Sequence, residues 1–308
     1  MMTIRLGLVG VGKIAHDQHI PTIAASPDFE LVATASRHGS VEGTPSYSSI
    51  EEMLDGPETI DAITLCQPPH VRYDAARLAI ASGKHVFLEK PPGMTLGEVA
   101  ALAEQAETAG VSLFASWHSR YGAAIDDTRA WLAGTTIHSV KAIWKEDVRV
   151  WHPGQEWLWE AGALGVFDPG INALSVLTAI LPRRFFLTDA TLEFPENRAA
   201  PIAADLTYVD TAGVPVAAEF DFRQPGPHTW EVHAETAAGT MLLAKGGNEL
   251  WIDGVLKTTA PEAEYRGLYD QFARLIAAGK SDADTTPLAH VTDAFLRGVR
   301  VPVEPFHY

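Results

Sequence analysis

Only one cysteine, Cys66, stands in the 308 residues. No disulfide can form within the chain, and such sparse thiol use fits a reducing compartment. No apolar run approaches the roughly 20 residues of a membrane-spanning helix. Met1 to Val9 reads as a strand, not as the basic-then-apolar layout of a secretory signal. Basic residues are scarce too: 23 Lys and Arg face 39 Asp and Glu, for a net charge of −16. A binder of phosphate backbones needs a positive surface, so nucleic acid is excluded as a partner, and an anionic membrane with it. The expectation is a soluble cytoplasmic protein. The acidic total is a solubility feature and says nothing about a substrate. Cys66 follows Ala62-Ile63-Thr64-Leu65 and reads as a small buried hydrophobe rather than a reactive thiol.

What is present is a chain that is 46% hydrophobic and long enough for two cores. Its first third alternates. Strand-like runs at Ile4–Val9, Phe29–Ala35, Ala62–Cys66, His85–Leu88 and Val111–Ala115 are separated by helix-like runs at Ile14–Ala25, Ser49–Leu54, Val71–Ser82 and Leu96–Ala109. That order predicts a parallel sheet covered on both faces, and buried parallel strands need no polar alternation. Beyond about residue 118 the pattern changes. A helix over Ala124–Leu132 and a long strand over Ile137–Val148 lead to a loop rich in Trp, Pro and Gly from Trp151 to Gly165. A helix over Asp168–Ile180 comes next. Strands with turn residues between them, such as Val214–Arg223 and Trp230–Thr236, predict an open, mostly antiparallel sheet. Helices near Glu262–Ala278 and Leu288–Val299 close the chain. The expectation is an α/β domain over 1–118 and an α+β domain over 119–308 that includes both C-terminal helices.

Gly10-Val11-Gly12-Lys13-Ile14-Ala15 matches G-x-G-x-x-A between a strand and a helix, the context in which the pattern binds dinucleotides. Gly10 permits the tight turn, Gly12 lets backbone approach a pyrophosphate, and Ala15 keeps helix and sheet close. The helix start offers free N–H groups to phosphate. The second strand ends in Ala35-Ser36-Arg37-His38, where an acidic residue would favour an unphosphorylated ribose. A hydroxyl and a guanidinium suit a 2′-phosphate instead. NADP is therefore the preferred cofactor, with NAD as the alternative, and Arg37 as a solvated surface charge is the competing reading. Glu89-Lys90-Pro91-Pro92 comes directly after the fourth strand, where ligands of parallel sheets bind. The prolines stiffen that turn, the Lys–Pro bond being open to either isomer. A Lys90 ammonium aimed at the cleft would stabilise a developing alkoxide.

The glycine turn, the Glu-Lys-Pro string and the later Asp-containing helix together resemble the Gfo/Idh/MocA oxidoreductases over nearly the whole chain. The resemblance implies a Rossmann domain followed by an α+β domain whose open sheet often forms oligomer contacts, so a homo-oligomer through that sheet is one expectation and the oligomeric state stays open. It also sets Lys13, Ile14, Gln67, Pro68, His70, Glu89 and Lys90 beside Gly10, Gly12, Ser36 and Arg37 at the cofactor. Within the family the strings Gly7–Ala15, Ser116–Tyr121 and Phe167–Leu174 are similar to bacterial aldose 1-dehydrogenases. The implied substrate is a monosaccharide such as D-galactose, L-arabinose or D-fucose, oxidised at C1 to the lactone. No metal is implied.

Asp168 and Asn172, four apart, share a helix face. Pro169 places Asp168 at the helix start, where it would also serve as a cap. Family members carry His where this chain has Asn172, and an amide is no base near neutrality. The base role then falls to Asp168, with Asn172 orienting a hydroxyl, while Lys90 and His118 stay open as proton acceptors. Sugars offer apolar faces to indoles and hydroxyls to polar rims. Trp117, Trp151 and Trp230 are candidate walls; His118, Arg120 and Glu146 are candidates for the rim. A dehydrogenase of another polyol or cyclitol, or a non-catalytic sensor of NAD(P) and sugar, are the alternatives.

Overall fold

The computed structural model describes residues 3–308, and the chain divides into two compact units. One joins residues up to His118 with Ala263–Thr285; the other joins Ser119–Glu262 with Thr286–Tyr308.

The first unit is built on strands β1 (Ile4–Val9), β2 (Phe29–Ala35), β3 (Ser46–Tyr47), β4 (Ala62–Leu65), β5 (His85–Leu88) and β6 (Leu113–Ala115). They form one parallel sheet in the order β3-β2-β1-β4-β5-β6. Strand β1 lies where that order reverses, so the crevice at its carboxyl end is the natural ligand position of such a sheet. Local chemistry explains the helices. Thr95 accepts the Glu98 N–H at 3.1 Å and the Glu98 carboxylate takes the Met94 N–H at 2.8 Å, which closes the start of helix Leu96–Ala109 reciprocally. That helix ends at Gly110 in the left-handed region, φ 67°, where glycine carries no Cβ penalty.

The segment Ala263–Thr285 corrects the expected boundaries, which gave it to the second domain. Helix Glu264–Ala278 buries Tyr265, Leu268, Tyr269, Phe272 and Leu275 along one stripe, the spacing of a core-facing helix. Its rings pack on Phe29, Phe87 and Phe114 of the parallel sheet, with Phe87 and Tyr269 stacked at 5.3 Å. An aromatic stripe of this size finds its partner through tertiary packing, not through sequence neighbours.

In the second unit, strands β7 (Ile137–Lys145), β8 (Phe185–Pro195), β9 (Ala203–Asp210), β10 (Pro215–Asp221), β11 (Thr229–Thr236), β12 (Gly239–Ala244), β13 (Glu249–Ile252), β14 (Val255–Thr259) and β15 (Val299–Val303) form a nine-stranded sheet. Its order is β14-β13-β12-β11-β7-β10-β9-β8-β15. The sheet is mixed. Antiparallel pairs dominate, while β7 with β10 and β8 with β15 run parallel. The alternating burial of β10 and β7 puts one face on a core. The other face carries polar pairs such as Glu219 with Lys141 and Lys145. Strand β15 was not expected, because Pro302 and the short run after the last helix disguise it; it pairs at the sheet edge, where proline is tolerated.

Helix Phe167–Ile180 lies on the buried face. Gly170 makes that possible: a Cβ there would stand 2.5 Å from the Phe220 ring, so any side chain would lift the helix off β10. The helix starts at Phe167 with Val166 as N-cap and no side-chain cap bond. This corrects the expectation for Asp168, which lies within the first turn and is not the N-cap residue. Strand β7 is also shorter than expected. It ends at Lys145, and Asp147 caps the short turn Val148–Trp151 by accepting the Arg149 N–H at 2.9 Å.

Candidate active site

Each unit carries one half of the chemistry the sequence pointed to. In the first unit a cleft of about 460 Å³ opens at the carboxyl ends of β1, β2 and β4; Gly10, Gly12, Ser36, Arg37, Gln67 and Pro68 line it. Gly10 has φ 92°, and a Cβ on it would stand 2.8 Å from the Gln67 backbone nitrogen, so the turn requires glycine twice over. Gly12 meets nothing within 4 Å, which leaves its backbone open to the cleft. The Gln67 side-chain oxygen is buried without a hydrogen-bond partner. An orphaned acceptor of this kind beside a glycine turn fits a ligand that brings donors. Arg37 is exposed at the end of β2, and Ser36 is held by its N–H on Tyr47 O at 2.9 Å. A dinucleotide fits this cradle: glycines and a helix start for the pyrophosphate, and Ser36 with Arg37 for the adenosine ribose.

Other expected cofactor residues sit elsewhere. Lys13 is exposed and pairs with Asp17 one turn on, and Ile14 is exposed on the same helix. His70 is exposed on the short turn Pro69–Val71. None of the three lines the cleft. Cys66 lies just past β4, half-buried in the cleft wall. Burial, and then the nearby Glu89 charge, push its thiol well up, which keeps it out of thiolate chemistry.

Glu89 is a correction. Its carboxylate was expected at the cofactor, but it is 4% exposed and turns inward. One oxygen takes the Lys90 N–H at 2.7 Å. The other lies 3.0 Å from His19 Nε2 and accepts the Tyr265 hydroxyl at 2.7 Å. Burial alone would raise this carboxyl; the bond and charge of His19, with His118 and the Tyr265 hydroxyl, outweigh it and bring it down to about 2. Lys90 comes next, on a loop with a cis Lys90–Pro91 bond. The buried Arg72 guanidinium donates to the carbonyls of Gln67, Glu89 and Pro91, binding the ends of two strand loops together. His118 is close by. Its Nδ1 is 2.5 Å from Glu264 Oε2, and its ring stacks on Tyr265. Burial disfavours its charged form, but Glu264 and then Glu89 outweigh that and Lys90, so His118 titrates above its ordinary value. Trp117 is another correction: it is 2% exposed with Nε1 on Asp284 O at 3.0 Å, a core indole rather than a sugar wall.

In the second unit four side chains converge. Glu146, 2% exposed at the end of β7, accepts the Trp230 Nε1–H at 2.9 Å. His152 Nε2 stands 3.2 Å from Glu146 Oε1, and His152 Nδ1 stands 3.9 Å from Asp168 Oδ2. The result is a carboxylate–imidazole–carboxylate row. Trp151 is exposed and lies 4.9 Å from Trp230, while His228 stacks on Trp230 at 3.8 Å, giving an indole surface next to the row. Asn172 is half-buried one turn beyond Asp168. Arg120 is not at the rim as expected. Its guanidinium donates to Ser175 O at 3.1 Å and Thr178 Oγ1 at 2.9 Å, so it braces the helix that carries Asp168. Sequence alone does not reveal His152, since its partners come from separate elements.

Residues 4–116 match the Gfo/Idh/MocA oxidoreductase family with an NAD-binding Rossmann fold. The chain is 47% identical to galactose 1-dehydrogenase of Pseudomonas fluorescens over 100% of both chains. The chain belongs to the Gfo/Idh/MocA oxidoreductase family. It is an oxidoreductase with an NAD(P)-binding domain, as the resemblance implied. The crystal structure of D-galactose-1-dehydrogenase from Rhizobium etli shares 62% identity and a TM-score of 0.96, covering 100% of this chain and 99% of that one. KijD10, a 3-ketoreductase from Actinomadura kijaniata solved with NADP and TDP-benzene, has the same fold with 17% identity, a TM-score of 0.86 and coverage of 98% and 99%. Among the described residues no helix is long and apolar enough to cross a membrane.

Proposed function

We propose that the protein is an NADP-preferring aldose 1-dehydrogenase that oxidises C1 of a pyranose such as D-galactose to the lactone, with L-arabinose and D-fucose as further substrates. The row Asp168–His152–Glu146 beside the Trp151 and Trp230 indoles carries this reading: a carboxylate able to accept a proton, next to a surface that suits the apolar face of a sugar. Full-length similarity to two galactose 1-dehydrogenases supports it.

Oxidation at C1 removes a hydride from carbon and a proton from its hydroxyl. When bound, the nicotinamide cofactor supplies the hydride acceptor. Asp168 takes the hydroxyl proton, with the His152 imidazole 3.9 Å away and itself 3.2 Å from Glu146. This arrangement answers the missing family histidine: the imidazole comes from the segment after β7 instead of from position 172. Asn172 hydrogen-bonds a sugar hydroxyl, and Lys90 stabilises the alkoxide as it forms. Wild-type protein mixed with NADP and a panel of aldoses and polyols should produce reduced cofactor with galactose. Tight NADP binding without turnover of any aldose would point to a sensor; turnover confined to polyols would point to the cyclitol reading.

The 2′-phosphate assignment has its own test. Arg37→Ala should raise the KM for NADP by about tenfold or more, the loss of a charge-assisted bond, and leave that for NAD nearly unchanged. Equal losses for the two cofactors would remove Arg37 from the 2′-phosphate.

A further inference from the structure

The buried cluster beneath the Lys90 loop does not end at the loop. His19 is 0% exposed and closes the π-helical stretch Ala15–His19, whose wide turn is sealed by the Ile20 N–H on Ala15 O. That stretch comes directly after the glycine turn, so it belongs to the helix expected to receive the cofactor's phosphates. A π-turn adds a residue, rotates the helix beyond it by about 100°, and occurs mostly where function requires it. His19 Nδ1 stands 2.8 Å from the Tyr269 hydroxyl, which also meets Thr64 Oγ1 at 3.3 Å. His19 Nε2 stands 3.0 Å from Glu89 Oε1, and Glu89 Oε2 takes the Lys90 N–H at 2.7 Å. Two side chains therefore span from the phosphate-binding helix to the backbone of Lys90. Tyr265, donating to the same Glu89 oxygen as His19 at 2.7 Å, fixes the carboxylate from a third element.

We propose that His19 and Glu89 are positioning residues that couple seating of the dinucleotide's phosphates to the placement of Lys90. The proposal rests on the reading of the glycine turn as the phosphate site and of Lys90 as a group that acts on the substrate. A pair that only stabilised the fold would show no such coupling. Glu89 is too buried to touch a dinucleotide, so an effect of its substitution on cofactor affinity travels through a group it holds, His19 or the Lys90 backbone, and the double variant tells the two apart.

The test uses the full chain and NADP alone. The NADP Kd is measured by calorimetry for wild type, Glu89→Gln, His19→Asn and the double variant, with melting temperatures alongside. Asparagine keeps a group opposite Tyr269 and loses the reach to Glu89. Each single change is expected to weaken NADP by about tenfold, the scale of a hydrogen bond to a charged group, and the double variant to be no weaker than the worse single. An unchanged Kd in Glu89→Gln, or a double variant whose loss is the product of the two, overturns the proposal. Glu89→Gln keeps the shape of the site and is decisive on its own if His19→Asn does not fold. With a sugar, kcat should fall in both singles while the sugar KM holds. Because the Kd cycle needs no sugar, wild type that turns over no aldose overturns the function proposed above and leaves the coupling measurable.

Discussion

Asp168→Ala is expected to lower kcat by about three orders of magnitude, the range of a general base, while NADP binds as before. Asp168→Asn should be equally inactive, and that comparison decides between two roles. Asparagine caps helices as well as aspartate does, so a capping residue would tolerate the change. The structure already argues against a cap: the helix begins at Phe167 with no side-chain cap bond, and Asp168 is buried in its first turn, 3.9 Å from His152. The helix itself does not depend on this side chain. Arg120 holds it at Ser175 and Thr178, and Gly170 seats it on Phe220. Steady-state kinetics with galactose, the NADP Kd and the melting temperature together make the test. Full activity in Asp168→Asn would remove Asp168 as the proton acceptor and return the question to Lys90.

The candidate positions that are legible in the sequence are those whose chemistry is local. A glycine turn between a strand and a helix declares itself within six residues. Ser36-Arg37 and Lys90-Pro91 likewise stand directly after strands of a parallel sheet, where ligands bind. What stayed hidden is made by contacts between distant positions. Glu89 has the look of a cofactor contact until Tyr265, 176 residues away, and His19 are seen on its oxygens. Trp117 and Arg120 read as pocket residues because their types suit a sugar, but each is consumed by a backbone carbonyl that only the fold brings near. His152 is invisible for the opposite reason: nothing in Trp151-His152-Pro153 marks its place until the end of β7 and helix Phe167–Ile180 bring Glu146 and Asp168 to either side of it. The placement of Ala263–Thr285 stayed hidden the same way, while the boundary after His118 stands as read. The stripe Tyr265, Leu268, Tyr269 and Phe272 announces a buried helix, but only the rings of Phe29, Phe87 and Phe114 say which core it completes.

Lys90→Ala should cost about two to three orders of magnitude in kcat, the scale seen when one donor to a developing oxyanion is removed, with a smaller change in the sugar KM. The outcome depends on what the alanine leaves behind. Backbone contacts hold the Lys90 loop: Arg72 grips the Glu89 and Pro91 carbonyls, and Glu89 holds the Lys90 N–H. Those backbone contacts survive the substitution, and the melting temperature, measured alongside, separates a loss of charge from a loss of fold. A ground-state anchor for a sugar hydroxyl would behave differently, raising KM and sparing kcat, because uniform binding does not lower the barrier. Lys90→Arg is the sharper companion. Its charge is retained, but a planar guanidinium is longer and spreads that charge over a fork, so recovery should be slight where a point charge at the reacting oxygen is required. A kcat within about twofold of wild type in Lys90→Ala would leave charge stabilisation to other groups and remove Lys90 from the chemistry.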